Sequence, residues 1–373
     1  MNVLFIGPYR TPSGWGEAAR NYIDALRTRE NINLTCQPIF MSGGRYPISQ
    51  EIEKLENTRY YTYDVVIQNV LPQYMEYDSR FGVNVGLIHT ECAYWNKTIW
   101  PSRINKMDML LVPSSACVEN CKKSGVEIPV ENVGIPDDIG KYLNGYDKLP
   151  FSTETDGKFV FYFIGEYIER KNVQMLISAY NLEFTRKENV TLILKLNKSG
   201  MSPQALGAEV QKDIVAIKDG AKKHTCLEFY PKVIVITAQL TDYYINSLHQ
   251  HSNCFIMPSA GESWSKPTFD ALGFGNTPIV TAGIGPNDYV TKKTGYLIES
   301  IENQCMVSDN PLPYLYTGSQ TWREPSLFSL RQQMRKAFKQ NRTKKIDAAE
   351  SVVKRYSYEN VGQEIERIIN AIL

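Results

Sequence analysis

The chain has 373 residues, 43% of them hydrophobic and 22% charged, and a formal net charge of +1. That length exceeds one ordinary hydrophobic core, so two domains are expected. The balanced charge provides no bulk attraction to nucleic acid or an anionic membrane, although a local basic patch stays open, and no apolar run is long enough to span a bilayer.

In chain order, "NVLFIGP" (2–8) reads as a buried strand; its apolar run is too short, and lacks the basic lead, for a signal peptide. "SGWGEAARNYIDALRT" (13–28) is a glycine loop entering a helix, with Ala18, Tyr22, Ala25 and Leu26 on one face. "YDVVIQNV" (63–70), "NVGLIH" (84–89) and "MLLVPS" (109–114) are further apolar strands, and "SACVENCKKSG" (115–125) is a helix stopped by Gly125. Strands alternating with helices predict a parallel sheet wrapped by helices. The polar stretch 135–158, rich in Asp, Gly, Pro and Tyr, suits an interdomain linker.

The alternation then restarts: strand 159–165, helix 172–181, strand 190–196, helix 203–222, strand 233–237, helix 241–249 and strand 254–258. The expected architecture is α/β, two doubly wound units facing a cleft, spanning 1–150 and 151–356. "SYENVGQEIERIINAIL" (357–373) closes the chain as an amphipathic helix capped by Ser357, with Glu359 in its first turn. Seven cysteines, none in a CxxC pair, read as free thiols of a reduced, cytoplasmic protein, and Cys117 and Cys121 have no histidine nearby in sequence to make a metal site.

The most informative stretch is "GESWSKPTFDALGFGNTPIV" (261–280). It follows the strand "NCFIMPSA", passes through a loop, enters a short helix with Pro267 in its first turn and Ser263 or Ser265 as caps, and ends on the strand "TPIVTA". Glu262 therefore lies in a loop at a strand's carboxyl end and Asp270 inside the helix, where open α/β sheets bind ligands. The helix N-terminus offers unpaired N–H groups suited to phosphate.

These residues resemble the donor-site signature of the family 4 glycosyltransferases, group 1 type, which have the GT-B fold, and among them viral, phage and bacterial members. "FIGEYIERKN", "PSGWGEAARN" and "TGYLIES" extend the resemblance over nearly the whole chain. The usual pattern is Glu, seven residues, Glu, then Gly-Thr-Pro; here Asp270 takes the second acid and Asn276 the glycine, while Glu166 stands where the family commonly has arginine.

The resemblance implies two Rossmann-like domains, acceptor-side over 1–150, completed by the returning helix 357–373, and donor-side over 151–356. It implies that Glu262 contacts the donor sugar, that Asp270 holds ribose hydroxyls, and that the backbone of Ser263, Trp264, Ser265 and Lys266 cradles the diphosphate. Arg170 and Lys171 are the candidate cations there, with Lys195 or Lys198 as helpers, though a solvated Arg-Lys pair would explain the former equally well. Gly14 and Gly16 permit close approach to a ligand, or simply a tight turn. His89, with Glu91, follows a buried strand and is a candidate catalytic sugar contact beside Glu262. His249 and His251, at i, i+2, do not share a face.

The implied reaction is retaining, metal-independent transfer from a nucleotide-diphosphate sugar such as a UDP-sugar, with no separate cofactor. The acceptor is a glycan, a lipid-linked glycan or a hydroxymethylated base in phage DNA. Two rivals stand beside it: a catalytically silent nucleotide-sugar-binding protein, which Glu166 and Asp270 would support, and a nucleotide-dependent oxidoreductase, although "GPYRTPSGWGEA" departs from GxGxxG. The tyrosine-rich segment 59–78 suits ligand stacking or half-buried sheet tyrosines. "TWREP" (321–325) reads as part of a surface insertion.

Overall fold

A computed structural model describes residues 1–40, 45–149, 154–223, 226, 229–307, 315–340 and 347–373. The chain forms two compact units: residues 1–141, 310–321 and 352–373, and residues 142–309 and 322–351. The boundary expected at 150 and 151 lies outside the described residues.

The first unit is built from β1 (Asn2–Gly7), α1 (Gly14–Arg27), β2 (Asn33–Pro38), α2 (Gln50–Asn57), β3 (Val65–Gln68), β4 (Val83–Leu87), α3 (Trp100–Ile104), β5 (Met109–Val112), α4 (Ser115–Lys123) and β6 (Val130–Asn132). Its six strands are parallel in the order β2-β1-β3-β4-β5-β6. β2, α2, α3 and β6 carry too little apolar periodicity to stand out in the sequence; β2 begins and ends on polar residues and α3 has five residues.

The second unit contains β7 (Phe159–Glu166), α5 (Val173–Glu183), β8 (Val190–Asn197), α6 (Pro203–Ala221), β9 (Lys232–Ile236), α7 (Asp242–Gln250), β10 (Cys254–Met257), α8 (Lys266–Gly273), β11 (Ile279–Thr281), β12 (Tyr296–Ile298), β13 (Ser300–Gln304), β14 (Thr321–Pro325) and α9 (Leu327–Gln340). Its main sheet is also six-stranded and parallel, in the order β12-β11-β10-β7-β8-β9. Phe159 to Phe163 of β7 and all four residues of β10 are buried, as the continuous apolar runs of a two-sided parallel sheet require.

One expectation needs correction, and the linker, within which the boundary between the units falls at 141 and 142, gains detail. "TWREP" is β14, paired with β13, and the Arg323 N–H donates to the Ala260 carbonyl at 2.8 Å, so this strand braces an interior loop. Alternation of polar and apolar residues over only five positions hid it. Residues 308–314 of the same excursion lie outside the described residues. The segment expected as a linker also carries structure: residues 139–143 form a 3₁₀ turn, and Tyr142 is buried in the second unit.

α10 (Asp347–Arg355) leads into α11 (Tyr358–Asn370), which starts as expected with the Ser357 hydroxyl accepting the Asn360 N–H at 3.3 Å. α11 packs on α1 in the first unit, burying Val361, Ile365, Ile368 and Ile369. The crossing is close enough that a Cβ on Gly362 would lie 2.2 Å from the Ala25 carbonyl oxygen. Glu366 pairs with Arg29 at 2.7 Å beside it. Gly362→Ala should force the helices apart and lower stability by about 1–3 kcal/mol in denaturant unfolding, whereas Gln363→Ala on the exposed side of α11 should leave it within about 0.5 kcal/mol.

Candidate functional site

In the second unit the strand order reverses between β7 and β10: the chain moves outward through β8 and β9 on one side and through β11 and β12 on the other. Loops leaving adjacent strands in opposite directions open a crevice at the carboxyl edge. The loop after β7 carries a 3₁₀ turn, Glu169–Lys171, and then Asn172 at φ +52°, a left-handed conformation that asparagine tolerates. The Asn172 amide donates to the Pro258 carbonyl at 3.0 Å. The Ala260 N–H and the Ser259 hydroxyl both donate to the Arg170 carbonyl, at 2.8 and 3.1 Å. The two loops are thus sewn together.

That stitching places Arg170 and Lys171 on Glu262. Arg170 Nη1 lies 3.0 Å and Lys171 Nζ 2.5 Å from the same oxygen, Glu262 Oε1, with all three side chains largely buried. Arg170 also donates to the Gly261 carbonyl. Burial alone would raise the Glu262 pKa, but the charges of Lys171 and Arg170, with hydrogen bonds from Lys171 and Ser259, outweigh it and hold the carboxyl below its ordinary value. The cluster sets two cations on one carboxylate oxygen, out of bulk water.

The loop's course depends on Gly285, whose N–H donates to the Glu262 carbonyl at 2.9 Å. A Cβ at this position would lie 2.0 Å from the Ser263 carbonyl oxygen, so only glycine fits. Ser265 precedes α8 at φ +66°. Ser265 does not act as the expected side-chain cap: its hydroxyl bonds to the Thr268 hydroxyl at 2.7 Å, because the left-handed backbone at Ser265 swings it away from the first N–H groups. The Trp264 ring is buried against Phe269 and Tyr289, with centroids 5.5 and 4.8 Å away, and the Tyr289 hydroxyl donates to the carbonyls of Trp264 and Ser265. Trp264 thus anchors the turn into α8.

Asp270 is buried on α8, and its Oδ1 accepts from Lys266 Nζ at 2.5 Å and from the Tyr142 hydroxyl at 2.8 Å. Tyr142 sits so close to α8 that a Cβ on Gly273 would lie 2.4 Å from its ring. At the next strand end Lys195 is buried, its Nζ meets only the Leu196 carbonyl at 3.5 Å, and it forms no ion pair among the described residues. Desolvation lowers its pKa. Lys198 is instead paired with Glu209 at 2.9 Å. Glu166 turns to the β8–α6 loop, where it accepts the Ser199 N–H at 3.1 Å. Asn276, in the position of the usual glycine, bonds the Tyr162 hydroxyl at 2.8 Å and the His249 carbonyl at 2.6 Å, which ties it to a buried polar network around His249.

In the first unit Gly14 and Gly16 begin α1, capped by the Ser13 hydroxyl, which accepts the Gly16 N–H at 3.3 Å. Gly16 is required by packing, since a Cβ there would lie 2.0 Å from the Thr11 carbonyl oxygen; around Gly14 a Cβ would meet nothing within 4 Å. His89 is buried beside Trp15 and Tyr22, at centroid distances of 5.5 and 6.4 Å. Its Nε2 has no hydrogen-bond partner among the described residues. Burial pushes its pKa down to about 4, so the imidazole is neutral at pH 7. Glu91 is half-buried two residues further on.

No family model matches the sequence, and no curated protein matches it. Solved structures do. Sucrose-phosphate synthase from Thermosynechococcus elongatus superimposes with a TM-score of 0.66 at 12% identity, covering 100% of this chain and 99% of that one. An E. coli trehalose-6-phosphate structure bound with UDP-2-fluoro glucose gives 0.66 at 8% identity with both chains fully covered. HepE of Anabaena, in complex with UDP and glucose, gives 0.63 at 13% identity, again with both chains fully covered. The fold is GT-B.

Within this GT-B chain, Tyr142, Tyr289, Gly285 and Arg323 support the crevice without having stood out in the sequence. Gly285, in "AGIGPND", carried the one readable signal, a glycine before proline after a strand. The others act through contacts from 24 to 128 positions away, which local patterning does not report.

Because the folded Glu262 carboxyl lies below the ordinary value of 4.5, its contribution to stability is complete above that pH and is lost as the pH falls through the folded value. Glu262→Gln should lower the thermal midpoint at neutral pH, by an amount equivalent to about 3–5 kcal/mol for a buried charge cluster stripped of one partner, and flatten its fall below pH 4.5. His89 acts over a higher range: its stability contribution is present above the ordinary value of 6.5 and is lost as the pH falls through about 4. His89→Phe should remove that part of the slope in melts recorded between these two values.

Proposed function

We propose that the chain is a glycosyltransferase that moves a sugar from a nucleoside-diphosphate donor to a hydroxyl acceptor, with retention at the anomeric carbon and without a metal. The observation that carries this reading is the buried Glu262–Arg170–Lys171 cluster, two cations on one carboxylate oxygen, at the switch point of the second GT-B unit. A diphosphate needs cations and N–H donors, and Arg170, Lys171 and the start of α8 provide both. Lys195, a buried ammonium without an ion-pair partner, adds a further cation at the same edge of the sheet. The GT-B neighbours bound with UDP-2-fluoro glucose and with UDP and glucose are consistent with such a donor.

In this reading the bond from the anomeric carbon to the β-phosphate oxygen breaks while the acceptor hydroxyl attacks from the same face. The acceptor's proton passes to the departing phosphate oxygen. Arg170 and Lys171 stabilise the growing phosphate charge, an effect worth ~10²-fold or more per fixed donor. Glu262 holds both cations and contacts the sugar. Asp270, oriented by Lys266 and Tyr142, accepts from the ribose hydroxyls. Neutral His89, flanked by Trp15, is suited to a sugar hydroxyl, with Glu91 beyond it. Glycans, lipid-linked glycans and hydroxymethylated bases in DNA all provide acceptor hydroxyls. All seven cysteines are free thiols, which is consistent with the reducing cytoplasm; no described helix is long and apolar enough to cross a membrane.

Calorimetry with UDP and other nucleoside diphosphates in excess chelator should show undiminished binding; strict dependence on Mg²⁺ or Mn²⁺ would overturn the metal-free reading. Asp270→Asn should weaken nucleotide and nucleotide sugar alike, whereas Glu262→Gln should chiefly lower turnover in a donor-hydrolysis assay over a panel of nucleotide sugars. Binding without turnover across the panel would favour the silent binding protein. Lys195→Met should weaken nucleotide binding at least tenfold, about 1.4 kcal/mol, while leaving the thermal midpoint unchanged or raised, because it removes a poorly compensated buried charge.

A further inference from the structure

Among the described residues, the first unit's sheet is incompletely covered on one face at β1. β1 lies between β2 and β3, yet Val3 and Phe5 are buried while Leu4 and Ile6, on the other face, are only half-buried. Parallel sheets ordinarily have both faces covered by crossover helices. Here the β3–β4 connection has no α-helix; it consists of a 3₁₀ turn, Pro72–Tyr74, and irregular chain up to Val83. A cavity of about 890 Å³ results, with Ile6, Ile39, Leu71 and Phe81 among its lining and Phe40 and Tyr74 on its rim. Its volume falls within the ~300–1,000 Å³ of small-molecule pockets. It lies at the carboxyl ends of β1 and β3, between which the strand order of this sheet reverses.

Two tyrosines of the tyrosine-rich segment line this cavity: Tyr74 and Tyr77, beyond β3, are 66% and 47% exposed and are not half-buried sheet tyrosines, whereas Tyr60 and Tyr63, ahead of β3, are half-buried as expected. Phe40 is 58% exposed. A soluble surface rarely displays a cluster of large aromatics over an open apolar floor without a ligand.

The polar groups of the lining are partly committed. The Gln68 amide is turned to the Glu76 backbone, donating to its carbonyl at 2.6 Å and accepting its N–H at 3.1 Å. The Asp78 carboxylate is occupied by the Arg80 guanidinium and N–H at 2.5–3.0 Å. Among the described residues no lysine or arginine lines the cavity; Arg80 is held by Asp78, and Arg45 lies over the Phe40 ring at 4.9 Å. An anion therefore meets the carboxylates of Glu76 and Asp78, and the polar groups of the lining gather on the Tyr74–Ser79 side, whereas Ile6, Ile39, Val66 and Leu71 form a floor with no hydrogen-bonding side chain.

We propose that this cavity binds an uncharged hydrocarbon chain, alkyl or isoprenoid, of a small molecule. The chain lies on Ile6, Ile39 and Leu71 and is clasped at the mouth by Phe40 and Tyr74. Apolar burial drives the binding, with shape and chain length rather than polar contacts setting selectivity.

The test titrates the intact chain with the uncharged fluorophore N-phenyl-1-naphthylamine. The expected result is one saturable site per chain with blue-shifted emission, displaced by 1-dodecanol and not by maltose. Leu71→Gln places an amide on the floor, and Tyr74→Ala removes an exposed side chain whose loss leaves the fold intact. Each should weaken probe binding about tenfold or more, with Tyr74→Ala unchanged in thermal midpoint. Unsaturable binding, displacement by maltose as readily as by dodecanol, or wild-type affinity in Tyr74→Ala would overturn the proposal. The readout requires no sugar transfer, so it stands or falls separately from the proposed activity.

Discussion

A carboxylate shared by two cations inside the crevice is the constraint on which the second unit depends. Glu262, Arg170 and Lys171 come from two loops, each leaving a different strand, and all are largely removed from water. Desolvating three charges is costly, and their attraction offsets that cost only when the geometry is held closely. Much of the surrounding detail supplies that geometry. Asn172 in its left-handed conformation, the bonds of Ala260 and Ser259 to the Arg170 carbonyl, the contact of Gly285 with Ser263, and the brace from Arg323 all fix where the two loops run.

The same economy appears at α8. Asp270 is buried with Lys266 one turn earlier and Tyr142 across from it, so that a second acid sits compensated near the first. Lys195 is the contrast, a buried ammonium with a single long contact to a carbonyl. His89 in the first unit shows a different tuning: burial among aromatic rings keeps it neutral, a polar group and not a charge.

Two of the three departures from the pattern that the sequence resembles, Asn276 and Glu166, have a physical account in the folded chain. Asn276 replaces a glycine and uses its amide to tie Tyr162 to the His249 carbonyl. Glu166 replaces an arginine and caps the loop after β8 through the Ser199 N–H. Arg170, four positions later, provides the guanidinium at the crevice. A sequence motif records residue types at fixed spacing; the fold redistributes the same charges among neighbouring positions.

The sequence by itself determined the two doubly wound sheets, the helix at the end of the chain and the loop carrying Glu262. Buried parallel strands are continuous apolar runs, and helix ends carry cap chemistry, both of which are local properties. It also singled out Arg170, Lys171 and Asp270, because cations and acids beside strand ends and glycines stand out against an apolar background. Only the tertiary structure decided that Glu262 lies between those two cations, that Tyr142 reaches Asp270 from 128 positions away, and that "TWREP" is a bracing strand. It alone showed that β1 has an incompletely covered face, since a missing crossover helix leaves no mark on the strand it fails to cover. Contacts of this kind form between residues distant in the chain, and their energies depend on burial and on partners that no window of neighbouring residues contains.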